Sequence, residues 1–191
     1  MDKTKLIGLT GPARCGKTTA ARIIKDQFGW FEFAFADTIR DMLSVGMQWD
    51  RRTFNGYDKE KVDEMHQVSP RKAMQTLGDW GRAIHPDFWI RITADDILRH
   101  KARFEAKWPR SWPGVVISDI RFENEAEFVR AAGGIVLHIH REKTAPVRSH
   151  ISEQGIQLRS GDFSVPNNGT IEDLTKRLGD ITGNLAMRCA S

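Results

Sequence analysis

A short apolar run, Leu6-Ile7-Gly8-Leu9, leads almost directly into Gly11-Pro12-Ala13-Arg14-Cys15-Gly16-Lys17-Thr18, and Thr19-Ala20-Ala21-Arg22-Ile23-Ile24 follows as the opening of a helix. The middle segment fits G-x-x-x-x-G-K-[ST], and its flanks read as buried strand before and helix after. Glycines let a backbone wrap closely around an anion, and successive N–H groups at a helix N-terminus point toward it. In that geometry Lys17 reaches the β- and γ-phosphates of a nucleoside triphosphate, and the Thr18 hydroxyl is a ligand for Mg²⁺. Gly11, Arg14, Gly16, Lys17, Thr18 and Thr19 are the candidate donor-nucleotide residues. A chance glycine-rich turn would not be expected to carry strand, loop and helix in this order.

The chain has 191 residues, 40% of them hydrophobic, which suits one domain with a substantial core, 1–191. No apolar run is long enough to span a bilayer, so no membrane partner is expected. Met1-Asp2-Lys3-Thr4-Lys5 leads straight to the first strand without a signal-peptide pattern. Cys15 and Cys189 are the only cysteines, which indicates a reducing, cytoplasmic setting rather than a disulfide framework. The net charge of +4 suits anionic substrates and decides little more.

Strand and helix patterns alternate along the chain. Phe31 to Ala36 reads as a second strand ending at Asp37, and a helix follows from Thr38 through Val45. Residues 46–68 are polar and form an excursion. Ser69-Pro70 opens a helix, with serine as N-cap and proline at the first helical position. The helical pattern resumes at Asp87 and runs to about Glu105, after the break at Pro86. Trp108 to Pro113 is a loop, and Gly114-Val115-Val116-Ile117-Ser118 is the clearest buried strand. A helix from Glu123 to Ala132 stops at Gly133-Gly134, and a strand spans Ile135 to His140. Phe163-Ser164-Val165 is a short strand, and Thr170 caps an amphipathic helix carrying Ile171, Leu174, Leu178 and Ile181. The tail after Gly183 is expected to be loose. This is an α/β chain: a mostly parallel sheet flanked by helices in three layers. His138 and His140 share one strand face, without the neighbouring ligands a zinc site needs.

Asp119 closes the buried strand, where an acidic residue of such a fold holds Mg²⁺; a helix-capping role is the alternative. Arg121, two positions on, is placed to grip an acceptor phosphate, and a surface ion pair is its alternative. Cys15, among loop N–H groups, is a candidate for sensitivity to thiol reagents.

Taken together, several segments resemble the bacteriophage deoxynucleoside monophosphate kinases, members of the P-loop nucleoside monophosphate kinase superfamily. They are residues 11–18, Pro70-Arg71-Lys72-Ala73-Met74-Gln75-Thr76-Leu77-Gly78, Phe88-Trp89, Ser118-Asp119-Ile120-Arg121-Phe122-Glu123-Asn124-Glu125 and Gly133-Gly134 before His138-Ile139-His140-Arg141. Ser149-His150-Ile151-Ser152-Glu153, Gly161-Asp162 and Asn167-Asn168-Gly169-Thr170-Ile171-Glu172-Asp173-Leu174 complete the set, which covers nearly the full length. The resemblance implies transfer of the ATP γ-phosphoryl group to a deoxynucleoside 5′-monophosphate with Mg²⁺. It also implies a helical acceptor-binding lobe near 46–113, a lid near 141–161 and a tendency to form a homodimer. By motif, Arg71 and Arg121 look like acceptor-phosphate ligands, Trp89 like an aromatic residue near the acceptor, and Arg141 like a residue at the active-site edge. The turn at Asn167-Asn168 is similar to the loop bordering adenine, which makes Asn168 a nucleotide candidate. His150 and Glu153 fall in the lid motif and are candidate substrate-binding residues. Thr18 keeps the general consensus where some phage relatives carry an acidic residue, and 46–68 is the least matched segment. A phage origin would place the protein in a bacterial host cytoplasm.

The chemistry agrees with this resemblance. Phosphoryl transfer depends mainly on positioning and charge neutralisation. Lys17, Arg14, Arg71, Arg121, Arg141 and Arg148 supply cations, and arginine's planar fork suits phosphate oxygens. Asp37 could hold a sugar hydroxyl or order the acceptor. Among rivals, a GTPase would need a guanine-reading motif, and Thr175-Lys176-Arg177-Leu178 lacks its aspartate. A nucleic-acid-associated ATPase would need more chain, so no stable nucleic-acid partner is expected. A kinase of another small molecule, such as dephospho-coenzyme A, shares the architecture and differs only in its acceptor.

Overall fold

The structure, a computed structural model, describes residues 5–108, 112–142 and 156–190. Five strands build one parallel sheet: β1 (Leu6–Thr10), β2 (Phe31–Phe33), β3 (Val115–Ile117), β4 (Ile135–His140) and β5 (Phe163–Pro166). Their spatial order is β2-β3-β1-β4-β5, with every neighbouring pair parallel. Among the described residues six helices accompany them: α1 (Lys17–Phe28), α2 (Ala36–Gly46), α3 (Pro70–Ile84), α4 (Phe88–Lys107), α5 (Glu123–Ala131) and α6 (Ile171–Ala190). The three-layer α/β expectation holds. None of these helices is long and apolar enough to cross a membrane.

The chain folds as two compact units. Met1–Ala34 with Ile97–Ser191 carries the sheet, and Phe35–Asp96 is helical. In the first, β1 is central and wholly buried. Ile7, Leu9, Leu137, Ile139 and Val165 from the strands meet Ile23 and Ile24 of α1 and Leu174, Leu178 and Leu185 of α6. Strands buried on both faces read as continuous apolar runs, which is why β1, β3 and β4 were visible in the sequence. The short edge strand β2 is covered by aromatic rings. Phe31 stacks on Trp112 with centroids 4.6 Å apart and meets Phe104 edge-on at 5.5 Å.

Two boundaries differ from expectation. Strand β2 stops at Phe33 and α2 begins at Ala36, so Asp37 lies in the first turn of a helix rather than at a strand end. Alternating aromatics suggested a longer strand, but Ala34 and Phe35 are both buried where the chain turns into α2. Helix α6 continues past Gly183 to Ala190, because Leu185 extends the apolar stripe of Leu174 and Leu178 into the core. Its start is reciprocal: Asp173 N–H donates to the Thr170 hydroxyl at 3.2 Å, and Thr170 N–H donates to the Asp173 carboxylate at 2.9 Å.

In the helical unit, Ser69 caps α3 by accepting from Lys72 N–H, a bond worth about 1 kcal/mol. Trp49, Phe54 and Ala73 form its small core with Leu43, Met47, Val68 and Met74. The excursion over 46–68 is two 3-10 turns, Arg51–Phe54 and Asp58–Glu60, and a bridge between Asp63 and Val68.

Candidate active site

The chain leaves β1 through Gly11, whose φ of 139° and contact with the Ile139 carbonyl leave no place for a Cβ. Gly16, with φ of 109°, ends the loop as the residue before α1, and a Cβ there would strike the Asn167 amide. Arg14 adopts a left-handed φ of 64° between them. The first turn of α1 holds no acidic residue, and no side chain caps it among the described residues. A tight turn opening into an uncapped helix N-terminus is a cradle for anionic oxygens. Lys17 Nζ donates to the carbonyls of Gly11 at 2.6 Å and Pro12 at 2.7 Å. The ammonium is therefore held over the loop it would share with a triphosphate. Thr18 is exposed and Thr19 half-buried on the same turn.

Neighbouring strands bring other candidates to the carboxyl edge. Beyond β3, Ser118 N–H donates to the Phe33 carbonyl at 2.9 Å and Ile120 N–H to that of Leu9 at 3.0 Å. Half-buried Asp119 thus lies where the chain crosses from β2 toward β1, about one strand spacing (~5 Å) from the loop's own strand. The N-cap position of α5 is Phe122, three residues further on. The capping carboxylate is that of buried Glu125, which accepts from the N–H groups of Arg121 at 2.7 Å and Phe122 at 3.1 Å. Glu125 thereby fixes the backbone that carries Arg121. On the other side of β1, Arg141 leaves β4 and donates through Nε to the Asn167 carbonyl at 2.8 Å. Asn168 accepts from Glu142 N–H at 3.0 Å. Asn167, not singled out before, directs its side chain at the loop itself and donates to the Cys15 carbonyl at 2.8 Å.

Cys15 corrects an expectation. Its side chain belongs to the core and is fully buried, so it offers no surface to a thiol reagent. His150, Glu153 and Arg148 lie outside the described residues.

Three further candidates belong to the helical unit. Arg71, at the second position of α3, donates through Nε to the Glu60 carboxylate at 2.6 Å. Asp37 accepts from Arg40 at 2.8 Å and lies 3.5 Å from Arg51. Trp89 is only 2% exposed, and its indole N–H donates to the Gly78 carbonyl at 2.9 Å. Its ring packs against Gly81, where a Cβ would stand 2.6 Å away. Trp89 was expected beside the acceptor; here it is a packing residue joining α3 to α4, with no open face for a base.

A second charged cluster lies outside these residues. Arg130 on α5 donates to the Asp162 carboxylate at 2.7 Å and to Glu123 at 2.8 Å, and His138 lies 3.1 Å from Asp162. Burial alone would push Asp162 up, but bonds from Arg130, the Arg159 N–H and His138 outweigh it and hold the carboxyl below its ordinary value.

A central parallel sheet with this loop after its middle strand defines a P-loop kinase fold. A sugar kinase from Janibacter superposes over 98% of this chain and 99% of its own with a TM-score of 0.52 at 14% identity, a likeness of fold. The family model for deoxynucleotide monophosphate kinase matches residues 49–178. A protein of Acanthamoeba polyphaga mimivirus, assigned provisionally as a deoxynucleotide monophosphate kinase, is 31% identical over 91% of this chain and 93% of its own. The deoxynucleotide monophosphate kinase of Escherichia phage RB69 is 35% identical over 93% and 99%. The chain belongs to the deoxynucleotide monophosphate kinase family and is a kinase.

Proposed function

We propose that this enzyme transfers the γ-phosphoryl group of ATP in line to a deoxynucleoside 5′-monophosphate, yielding ADP and the deoxynucleoside diphosphate. An acceptor phosphate oxygen forms a bond to the γ-phosphorus as the bond to the β–γ bridging oxygen breaks. The observation that carries this reading is the loop itself: Lys17 Nζ stands over the Gly11 and Pro12 carbonyls, between strand ends bearing Asp119 and Arg141.

The residues suit the donor. Glycine at 11 and 16 leaves a cradle that any Cβ would fill. Thr18 and Asp119 are the hard oxygen donors that would hold Mg²⁺. When bound, the metal neutralises charge on the β- and γ-phosphate oxygens. Lys17 exchanges loop carbonyls for phosphate oxygens, and Arg14, Thr19 and Asn168 border the nucleotide. Arg121 and Arg141 neutralise the transferring group from either side of the loop. Residues 46–113 form the acceptor lobe, where Arg71 binds the acceptor phosphate, and Asp37, which precedes the lobe in the chain, orders the acceptor's sugar. The enzyme works in the cytoplasm.

A coupled ADP-release assay with Mg·ATP tests this against dAMP, dCMP, dGMP, dTMP, hydroxymethyl-dCMP, the ribose counterparts and dephospho-coenzyme A. Turnover on one or more deoxynucleotides is expected. Turnover on dephospho-coenzyme A alone, or ATP hydrolysis indifferent to acceptor, would overturn the substrate assignment.

A further inference from the structure

We propose that Asn167 is a positioning residue that sets the shape of the phosphate-binding loop and ties Arg141 to it. The proposal rests on reading residues 11–18 as the donor site. Asn167, just beyond β5, is 7% exposed, and its side-chain amide nitrogen, its N–H and its carbonyl are all hydrogen-bonded. Its side-chain Nδ2 donates to the Cys15 carbonyl at 2.8 Å, across 152 positions of sequence. Its own N–H donates to the His140 carbonyl at 2.8 Å, and its carbonyl accepts Arg141 Nε at 2.8 Å. One residue thus joins the loop, the end of β4 and the arginine that follows β4.

The bond to Cys15 has a directional consequence. In a planar trans peptide the carbonyl and the N–H of the next residue point opposite ways. Drawing the Cys15 carbonyl toward Asn167 therefore turns the Gly16 N–H away from it. A phosphate-binding turn requires its N–H groups to be aimed in advance, because orienting them at the moment of binding costs affinity. Gly16 is the residue that permits this approach, since a Cβ would overlap Asn167 Nδ2. Without the amide, the Cys15 carbonyl loses its donor and the peptide plane is free to rotate. Backbone bonds from Asn167 to His140 and Arg141 survive any side-chain change, so the side chain can be tested separately.

The test uses the full chain, with Asn167→Ala and Asn167→Asp; aspartate keeps the size but sets a carboxylate against the Cys15 carbonyl. Calorimetry measures Mg·ATP and Mg·tripolyphosphate, the latter having no adenine, beside acceptor KM and melting temperature. Both variants are expected to bind both donors about ten-fold more weakly or worse, Asn167→Asp more so, with acceptor KM unchanged. Loss confined to ATP would make Asn167 an adenine contact, and overturn the proposal. Donor and acceptor parameters falling in step with melting temperature would make its role merely structural, also overturning it. If the wild type binds no Mg·ATP, the donor-site reading falls and takes this proposal with it. If the wild type binds and the variants match it, only the proposal falls.

Discussion

Two cations of the candidate site already have partners that a substrate would replace. Lys17 spends two of its donors on the Gly11 and Pro12 carbonyls, which accept from it without carrying a full charge. Phosphate oxygens are stronger acceptors, so exchange favours the nucleotide. Lys17→Ala should lower kcat in the ADP-release assay by at least about 10²-fold, the scale of losing one preorganised charge-stabilising donor. Its circular dichroism should remain that of the wild type; normal turnover would remove the loop from the chemistry. Arg71 is different, because its partner Glu60 carries a full negative charge. A carboxylate on the Arg71 fork occupies the place proposed for the acceptor phosphate. Both side chains are partly solvent-exposed, so screening keeps the pair within about 1 kcal/mol. Glu60→Gln is therefore expected to lower acceptor KM, by no more than about five-fold, with ATP binding unchanged. A higher acceptor KM would mean that Glu60 instead holds Arg71 in its working position.

Elements fix where these residues stand, and the Arg130–Asp162 pair fixes one of the returns to the sheet. It links α5 to the residue just before β5, with the Asp162 side chain 1% exposed. The folded-state pKa of Asp162 lies below its unfolded value. Its contribution is therefore complete above the unfolded carboxylate pKa, near 4, and is lost as pH falls through the folded value. Asp162→Asn should cost about 1.5–3 kcal/mol at neutral pH, the loss of charged hydrogen bonds from Arg130, which keeps its Glu123 partner. Urea denaturation at pH 7 and in progressively stronger acid checks this: the gap between variant and wild type should narrow as pH drops. A gap independent of pH would show that packing, rather than ionisation, is what the substitution removes. Such long-range pairs explain the limits of sequence reading here. Local signals located β1, β3, β4, the Ser69 cap and the Thr170 cap, because apolar runs and capping residues act within a few positions. They misplaced Asp37, since three residues of β2 and a helix start both accommodate alternating aromatics. The bond of Asn167 to Cys15 and that of Arg71 to Glu60 join segments with no shared local pattern. The Asn-Asn-Gly-Thr turn stood out in the sequence, but which asparagine faces the loop depended on the register of β5 against β4.

At the scale of the molecule, the candidate groups divide between the two units. The loop, Asp119, Arg121, Arg141 and Asn167 belong to the sheet unit, whereas Arg71 and Asp37 belong to residues 35–96. If the helical unit serves the acceptor, damage within it should leave the donor equilibrium untouched. Arg71→Ala is the direct probe, because the substitution removes one charge from the first turn of α3 and leaves the Ser69 cap in place. Losing a hydrogen bond to a charged group costs about 1.5–3 kcal/mol, which corresponds to a rise of about ten- to a hundred-fold in acceptor KM. Calorimetric affinity for Mg·ATP in the absence of acceptor should equal that of the wild type. Arg121→Ala makes the complementary case: it changes a residue of the sheet unit proposed to meet the transferring group, so kcat should fall together with acceptor binding. A loss of ATP affinity in Arg71→Ala with acceptor KM unchanged would reverse the assignment of the two units. An effect on neither would confine Arg71 to its pair with Glu60, and the acceptor phosphate would then have to be held by arginines of the sheet unit alone.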